Sequence, residues 1–345
     1  MKLKEFARES KKNFNGSKKD VPIVGLEHLN SGEMLFSDYD LNTENTFTKS
    51  FSKGQVLFGR RRAYLKKAAF AEFDGICSGD ITVIEAIPGK VLPELLPFII
   101  QNDKLFDFAI SRSAGGLSPR VKWKDLAEFE FDLPSLADQK KLADKLWAAY
   151  RLKESYKKLL ASMDELAKSR FIEMFGDVIL NEKNWGVKKW KDVLTIKNGR
   201  SQKNVLDANG KYPIYGSGGV MGRASAYITK ANSIIIGRKG TIDKPFIVKE
   251  DFWNVDTAFG IEPDNKNISL YYLFFFCLFF DLKRLNKAAV LPSLVKSDLL
   301  NILMPIPPIS IQNKFTLFIE QLDKSKSELK KSIAAIDDVI RSLIN

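Results

Sequence analysis

The sequence contains few of the side chains that usually hold metals or form crosslinks. Its 345 residues include two cysteines, Cys77 and Cys277, and one histidine, His28. Without a Cys-x-x-Cys pair and with a single histidine, neither a zinc site nor a disulfide framework is expected. This cysteine usage is typical of a reducing cytoplasm, where we expect the protein to be located. We interpret His28 as a packing or surface residue.

Long apolar runs and a targeting segment are also missing. Residues 1–20 contain no apolar core, so we do not expect a signal peptide there. The segment ISLYYLFFFCLFF, at residues 268–280, is apolar over only 13 residues. A membrane-spanning helix needs about 20. We therefore predict a fully buried helix and no membrane partner.

Motifs of nucleotide-dependent and methyl-transferring enzymes are not found. The sequence has no G-x-x-x-x-G-K-[ST] phosphate loop. Its IPPI segment, at 306–309, lacks the Asn or Asp of an amino-methyltransferase motif. The segment GSGGVMG, at 216–222, fits a turn better than a cofactor cradle. With one histidine and no ordered nucleophile–base set, we expect no catalysis, no metal and no cofactor in this chain.

What the sequence does have is positive charge and enough length for about two domains. It carries 54 Lys and Arg against 42 Asp and Glu, a net charge of +12, and 45% of its residues are hydrophobic. The apolar fraction is ordinary for a globular protein with buried cores. A basic excess of this size favours a polyanionic partner, although a generally basic protein remains the alternative.

The sequence also repeats itself at about half its length. A shift of 173 positions aligns LSPRVKWKDLAEFEFDLPSLADQKKL, at 117–142, with LPSLVKSDLLNILMPIPPISIQNKF, at 291–315. Upstream, KGQVLFGRR at 53–61 resembles ANSIIIGRK at 231–239, and VPIVG at 21–25 resembles YPIYG at 212–216. The ordered series indicates a duplicated domain with small insertions and deletions.

Each half has the same predicted plan. Short β-rich runs separated by Gly, Asn and Asp predict an irregular sheet domain. One hydrophobic helix follows, LLPFIIQNDKLFDFAI in the first half and LYYLFFFCLFFDLKRL in the second. A long segment with heptad spacing then predicts a helix of about 35 residues, introduced by proline and by Ser135 or Ser310. Gly176 is expected to end the first of these helices.

The heptad pattern predicts the apolar row through which the long helices pack or dock partners. Because each row would face water alone, we expect the two helices to pair. Its residues are Leu142, Leu152, Tyr156, Leu159, Met163, Leu166, Phe315, Leu322, Leu329 and Ile336.

Two globular domains, each followed by a long helix that LPSLADQKKL or IPPISIQNKF introduces, resemble the specificity subunit of type I restriction–modification systems. The resemblance covers essentially the whole chain, and its specific element is the duplicated order of the motifs. It implies an α+β fold with two tandem target recognition domains. It also implies that the two helices pair as an antiparallel coiled coil with pseudo-two-fold symmetry.

The resemblance also implies domain bounds, function and partners. The expected domains are recognition domain 1 at 1–133, a spacer helix at 134–176, recognition domain 2 at 177–306 and a second spacer helix at 307–345. Each recognition domain would read one half of an asymmetric bipartite target in double-stranded DNA. The helices would set the spacing and dock two methyltransferase subunits, which hold S-adenosylmethionine, and restriction subunits would join the full complex. The chain itself would be non-catalytic.

Basic segments at strand ends and in the repeated loops are the candidate DNA contacts. FGRRRAYLKK at 58–67 and GRKG at 237–240 occupy equivalent places, as do the loops 111–123 and 286–296. Arginine can bind guanine edges bidentately, and both basic side chains can bind phosphates. The candidates are Arg60, Arg61, Arg62, Tyr64, Arg112, Arg120, Lys122, Ser217, Arg223, Arg238, Lys239, Lys287, Ser293 and Lys296.

Two other functions are compatible with parts of this pattern. One is a self-contained DNA-modifying enzyme, such as a nuclease or methylase, with tandem recognition domains. The other is a coiled-coil interaction protein without a nucleic-acid role. Turnover by the isolated chain would favour the first, and the absence of salt-sensitive DNA binding would favour the second.

Overall fold

The computed structural model describes residues 1–288 and 290–344. Ala289, in the second predicted loop, and Asn345, at the end of the second predicted spacer helix, lie outside the described residues. The chain forms two compact units. Unit 1 consists of Met1–Lys157 together with the end of the chain from Lys330, and unit 2 consists of Lys158–Leu329.

Unit 1 contains two sheets and several short helices. Its elements are α1 (Leu3–Phe6), β1 (Ala7–Glu9), β2 (Ile23–Val24), β3 (Lys49–Phe51), β4 (Val56–Gly59), β5 (Ala68–Phe70), β6 (Gly75–Cys77), β7 (Ile81–Ala86), α2 (Leu96–Ile100), α3 (Asp103–Ser111) and α4 (Trp123–Leu126), with short 3-10 helices at Leu26–His28 and Ala63–Leu65. The strands form a four-stranded antiparallel sheet of order β1-β7-β4-β5 and a three-stranded sheet of order β2-β6-β3. The long helix α5 (Leu136–Phe175) begins in this unit.

Unit 2 contains three sheets and several helices. Its elements are β8 (Val187–Lys189), α6 (Trp190–Val193), β9 (Leu194–Asn198), β10 (Tyr212–Gly216), β11 (Gly219–Ala224), β12 (Ser233–Gly237), β13 (Phe246–Val248), β14 (Trp253–Asn254), β15 (Ala258–Pro263), α7 (Leu270–Phe279), α8 (Lys296–Leu300), β16 (Leu303–Pro305) and the long helix α9 (Ile309–Ile344), with a 3-10 helix at Leu282–Leu285. The strands form a four-stranded antiparallel sheet of order β13-β12-β15-β9, a three-stranded sheet of order β11-β10-β14 and the pair β16-β8.

The main sheets of the two units share one strand order, which supports the duplication predicted from the sequence. Read from the other edge, the order β9-β15-β12-β13 of unit 2 matches β1-β7-β4-β5 of unit 1. The segment VPIVG contains β2, which pairs in parallel with β6, and YPIYG contains β10, which pairs in parallel with β14. The mixed α+β class is therefore confirmed for both halves.

The apolar segment of the second half is a helix, as predicted, but it is not fully buried, because Leu278 is 43% exposed. Helix α7 buries Tyr271, Tyr272, Leu273, Phe275, Phe276 and Cys277. Among the described residues, no helix is both long enough and apolar enough to cross a bilayer.

The counterpart in the first half is not one helix, and that prediction was wrong. It divides into α2 and α3 at Gln101 and Asn102. The Asn102 side chain accepts a hydrogen bond from the Lys104 N–H (2.7 Å) and so caps the start of α3. A capping asparagine offers the backbone an alternative to the continuous helix.

The long helices begin near the predicted proline-rich segments. The Ser135 hydroxyl oxygen accepts a hydrogen bond from the Asp138 N–H (3.3 Å), as expected of a cap. Ser310 instead lies inside the first turn of α9. Helix α5 ends at Phe175, and Gly176 follows with φ +75°, a left-handed conformation that favours glycine.

The glutamine of the repeated motif has a role that the sequence pattern did not reveal. Gln139 and Gln312 are almost fully buried, at 1% and 0% exposure. Gln312 accepts a hydrogen bond from the Ser269 N–H (2.8 Å) and donates to the carbonyls of Asn267 (2.9 Å) and Pro307 (2.8 Å). Gln139 makes the same three bonds in unit 1, to the Leu92 N–H and to the Lys90 and Pro134 carbonyls. Each glutamine therefore links the first turn of a long helix, by hydrogen bonds, to the segment that leads into an apolar helix of the same unit (α2 in unit 1, α7 in unit 2).

The predicted apolar row of the long helices is buried only in part. Phe315 and Leu322 are buried, and Leu142, Tyr156, Met163, Leu329 and Ile336 are half-buried. Leu152, Leu159 and Leu166 are 44%, 44% and 50% exposed, so the alternative role of the row in docking a partner stays a prediction for them.

The buried face of α5 passes instead mostly through alanines and aromatics. In unit 1 the buried residues are Ala143, Leu146 and Tyr150, and in unit 2 they include Ala167 and Phe171. In unit 2, Phe171 packs against rings of α7 and α9, and its ring centroid lies 5.5 Å from that of Phe315. A count of heptad leucines gives alanines and aromatics little weight, so it does not identify this face.

Candidate nucleic-acid interface

In unit 1 the predicted arginine segment and the predicted loop form one surface. The N–H of Arg62 donates to the carbonyl of Pro119 (2.7 Å), and the N–H of Val121 donates to the carbonyl of Arg60 (3.0 Å). These bonds join the end of β4 to the loop that precedes α4. We call this surface, comprising residues 60–62 and 112–122, the unit 1 loop surface.

Unit 2 repeats the arrangement at the equivalent residues. The N–H of Gly240 donates to the carbonyl of Pro292 (2.9 Å), and the N–H of Leu294 donates to the carbonyl of Arg238 (2.9 Å). The end of β12 is thereby joined to the loop before α8. We call residues 238–240 and the described part of 286–296 the unit 2 loop surface. The matching backbone bonds make the two surfaces structural equivalents.

Two arginine side chains of the unit 1 loop surface converge on Asp80. Arg120 Nε lies 2.8 Å from Asp80 Oδ1, and Arg61 Nη1 lies 3.3 Å from Asp80 Oδ2. Burial alone would raise the pKa of the Asp80 carboxyl, but the hydrogen bonds and charges of Arg120 and Arg61 outweigh it and lower that pKa. The two guanidinium groups are thus held in place by one ionised carboxylate, and three charges there sum to +1.

The hydroxyl of Ser118 adds a second anchor for the arginines. It accepts hydrogen bonds from Arg61 Nη2 (3.2 Å) and Arg62 Nη2 (3.4 Å). Arg62 is exposed and adopts a left-handed backbone conformation (φ 53°), which turns the chain out of β4. The loop therefore holds two of the predicted arginines side by side.

The other predicted residues of unit 1 lie around this group. Arg60 is half-buried, and Tyr64 and Lys122 are exposed. The Arg112 guanidinium lies 5.3 Å from the centre of the Phe108 ring. It borders an open pocket of about 560 Å³ whose lining also includes Lys2 and three carboxylates, from Asp125, Glu128 and Glu130. These carboxylates offset the positive charge there, so the pocket is less suited to phosphate than the Arg61–Arg62–Arg120 group.

The unit 2 loop surface has different chemistry at the equivalent positions. Lys239 is exposed and forms an antiparallel bridge with Ser293, as Arg61 does with Arg120. Thr257 takes the place of Asp80, since its carbonyl accepts the Arg238 N–H (2.8 Å) as the Asp80 carbonyl accepts the Arg60 N–H (2.9 Å). No carboxylate therefore stands at the position that holds the arginines in unit 1.

Four further predicted residues occupy or border the unit 2 loop surface. Arg238 donates to the carbonyl of Asp256 (3.4 Å). Ser217 lies beside the end of β12, because a Cβ added at Gly237 would be 3.1 Å from the Ser217 Cβ. Lys287 is exposed but forms an ion pair with Asp298 (2.7 Å), and Lys296 is half-buried at the start of α8.

Arg223 makes its hydrogen bonds with the segment that leads into its own hairpin. Its guanidinium donates to the carbonyls of Gly210 and Lys211, both at 2.6 Å. The expected turn at GSGGVMG is confirmed as the connection between β10 and β11. A role of this hairpin in DNA binding stays a prediction.

Sites for other chemistry are sparse in the part of the chain that the structure describes. No group of His, Cys, Asp and Glu there could hold a metal ion. Cys77 and Cys277 are both buried, and burial raises the pKa of the Cys77 thiol to about 12. His28 Nδ1 accepts the Gly25 N–H (2.9 Å), which agrees with the packing role expected for it.

The sequence predictions found the strand ends and loops but missed Asp80 and the two buried glutamines. Asp80 carries no local signal, because it becomes relevant only when the fold brings it to two arginines 19 and 40 positions away. The glutamines did have a signal, since they recur at the same place in both motifs. A polar residue that is retained in an apolar repeat often serves such a hydrogen-bonding role.

Comparisons with known proteins agree with this architecture. The sequence model described as "Type I restriction modification DNA specificity domain" matches residues 1–162 and 182–336. The MjaIX specificity subunit of Methanocaldococcus jannaschii is 26% identical over 294 residues, which cover 74% of this chain and 68% of that protein. The EcoDI specificity subunit of Escherichia coli is 25% identical over 155 residues, 43% of this chain and only 34% of its relative.

Solved structures share the fold. A specificity subunit from M. genitalium has a TM-score of 0.64 at 15% identity, covering 100% of this chain and 94% of that one. A chain from a study of complex assembly and conformational transition of a type I restriction–modification system has a TM-score of 0.61 at 17% identity, covering 100% and 95%. Since the family's sequence model matches both halves and most of the chain, the protein belongs to the type I restriction–modification specificity family and carries two tandem specificity domains.

Proposed function

We propose that this chain is the DNA sequence-recognition subunit of a type I restriction–modification complex and reads an asymmetric bipartite target in double-stranded DNA. The observation that carries the proposal is the pair of equivalent loop surfaces. Each joins a basic strand end to a loop through the same backbone hydrogen bonds, one surface in each unit. Duplicated surfaces suit two half-sites, and their basic side chains suit phosphates and base edges.

The differences between the surfaces support an asymmetric target. Unit 1 presents Arg61 and Arg120, which Asp80 orients, whereas unit 2 presents Lys239 and Ser293 without a carboxylate. An oriented arginine favours bidentate contact with guanine, while lysine and serine have other geometric preferences. The two units would therefore recognise different half-sites. The net charge of +12 would add a non-specific, salt-dependent contribution to affinity.

We further propose that α5 and α9 pair as an antiparallel coiled coil that spaces the half-sites, with recognition domains at 1–133 and 177–306 and spacer helices at 134–176 and 307–345. Ion pairs within each unit support the direction of pairing. Lys153 pairs with Asp337 in unit 1, and Asp164, later in α5, pairs with Lys326, earlier in α9, in unit 2. The 40-residue α5 would be about 60 Å long.

Partner subunits are part of the proposal. We expect two methyltransferase subunits, which bring S-adenosylmethionine, and restriction subunits to join the chain in the cytoplasm. The exposed Leu159 and Leu166, seven residues apart on α5, offer apolar contacts for such a subunit. The chain itself would be non-catalytic.

Methylome sequencing of the source cells with and without this gene tests the function directly. We expect one bipartite, asymmetric methylation motif to disappear when the gene is deleted. An unchanged methylome would contradict the proposal if the methyltransferase subunit is expressed. Methyl transfer or cleavage by the purified chain alone, with S-adenosylmethionine or Mg²⁺ and DNA, would favour a self-contained enzyme instead.

The spacer role has its own test. Inserting two helical turns into α5 and into α9 together should lengthen the gap between the half-sites and leave their sequences unchanged. A changed half-site with an unchanged gap would contradict the division into recognition domains and spacer.

A further inference from the structure

The unit 1 loop surface ends in a closed hairpin with a leucine at its tip. Ala114 and Arg120 exchange two backbone hydrogen bonds, of 3.0 and 2.9 Å, and so close the loop 115–119. Gly115 adopts φ +116°, which allows the tight turn. Leu117 is the middle residue of this loop, and its exposure is 98%.

The unit 2 loop surface presents an aliphatic side chain at the equivalent place. The shift of 173 positions that aligns the repeats places Leu117 on Val290. Asn286 Oδ1 accepts the N–H groups of Ala288 (3.1 Å) and Ser293 (3.0 Å), which brings the two ends of that loop together. Val290 is 97% exposed, and Leu291 beside it is 55% exposed.

Two fully exposed aliphatic tips at one position of a duplicated fold differ from scattered surface leucines. A single exposed apolar residue is normal and needs no explanation. Here the same kind of side chain recurs although the loop sequences around it differ, GGLSP in one copy and AAVLP in the other. Folding of the unit gains nothing from either side chain, so their place in the loop points to a contact outside the chain.

The charges beside the tips favour nucleic acid as the occupant. The residue after Leu117 is Ser118, whose hydroxyl binds Arg61 and Arg62. In unit 2, the exposed Lys239 bridges Ser293, three residues after Val290, while Lys287, three residues before it, pairs with Asp298. An apolar tip between cations suits a DNA groove, where the cations meet phosphates and the tip meets base edges.

We propose that Leu117 and Val290 are groove-inserting residues, each of which contacts the base-pair edges of its own half-site. The inference rests on the proposed function and adds to it the residues that read bases through apolar contact. Thymine methyl groups in the major groove, or a base step opened in the minor groove, are the surfaces such a side chain can contact.

The test uses the full chain assembled with its methyltransferase subunits and a duplex that contains the motif found by methylome sequencing. Leu117→Ser and Val290→Ser are compared with Leu180→Ser, which changes a leucine that is 71% exposed and outside both loop surfaces. All three sites are exposed, so the variants should keep the melting temperature of the parent protein.

We expect each tip variant to bind the specific duplex about 5- to 100-fold more weakly. The loss should be confined to recognition of its own half-site, with binding to random DNA unchanged. The slope of affinity against salt should also be unchanged, because no phosphate contact is removed. The Leu180→Ser protein should bind like the parent.

Three results would overturn the inference. They are parent-like specific binding by both tip variants, an equal loss on specific and random DNA, and an equal loss in the Leu180→Ser protein. A parent complex that recognises no bipartite sequence would instead overturn the proposed function. The two failures are therefore distinguishable.

Discussion

Replacing the buried glutamine of the second motif should weaken unit 2 at one definable place. In Gln312→Ala, the Ser269 N–H and the carbonyls of Asn267 and Pro307 lose their partner; Ser269 and Pro307 are buried and Asn267 is half-buried. A buried polar group left unpaired costs about 1–3 kcal/mol, with the lower values expected for carbonyls. The three losses therefore predict a destabilisation of about 3–4 kcal/mol, a large part of the ~5–15 kcal/mol typical of a domain.

Backbone hydrogen exchange is the appropriate assay, because the chain has two units and a single unfolding midpoint would combine them. Amide exchange of residues 267–315 should accelerate by about 10²- to 10³-fold, as 1.4 kcal/mol corresponds to a factor of ten. Peptides of the unit 1 sheet should change little. Gln139→Ala should produce the corresponding result in unit 1, with faster amide exchange in residues 90–142.

Gln321→Ala is the matched control, since it removes an exposed glutamine from the same helix nine residues further on. Its exchange rates should stay within a factor of about two of the parent, as surface substitutions usually cost under ~0.5 kcal/mol. If Gln312→Ala behaved like this control, the argument that the repeated glutamine holds the helix start in place would be refuted.

Three further substitutions test other parts of the structure, each through the amide exchange of its own unit. Asp80→Asn should destabilise unit 1 by about 1 kcal/mol at neutral pH. Because the folded pKa of Asp80 lies below the ordinary 3.8, this difference should vanish as the pH falls from that value through the folded pKa, and a pH-independent difference would contradict the assignment. Gly237→Ala places a Cβ 1.9 Å from the carbonyl oxygen of Thr241 and should destabilise unit 2 by at least about 1–3 kcal/mol, whereas Gly218→Ala, with open space around its Cβ, should be nearly neutral. Tyr272→Phe removes a 2.7 Å hydrogen bond to a buried carbonyl and should destabilise unit 2 by about 1 kcal/mol, which parent-like exchange rates would contradict.

The repeat was readable from the sequence because its signals are local and ordered. Proline-rich helix starts, a strand ending in Gly-Arg and a buried apolar helix each depend on neighbours within a few residues. Two domains, the buried segment at 268–280 and the positions of α5 and α9 all followed from them. The same reasoning assigned Arg61 and Lys239 to one pair of corresponding segments, and Arg120 and Ser293 to another. The structure then showed that the two segments of each unit are joined by a backbone bridge.

The sequence was less informative where packing overrides local pattern. Counting leucines placed Leu152, Leu159 and Leu166 in one apolar row with residues that are buried, but these three are exposed, because burial depends on which face meets the rest of each unit. That face contains Ala143 and Phe171, whose sizes fit the space available. The first apolar helix divides for a similar reason, since a capping asparagine stabilises the break.

The sequence by itself determined the duplication, the order of the elements and the basic character of two corresponding loops, because composition and spacing encode those directly. Only the tertiary structure decided that Asp80 lies between two arginines, that a buried glutamine fastens each long helix, and that Leu117 and Val290 project into solvent. The first two features depend on contacts between segments that are tens of residues apart in the sequence. The third depends on the absence of such contacts at the two loop tips. No local pattern specifies such distances, because chain folding alone brings the segments together.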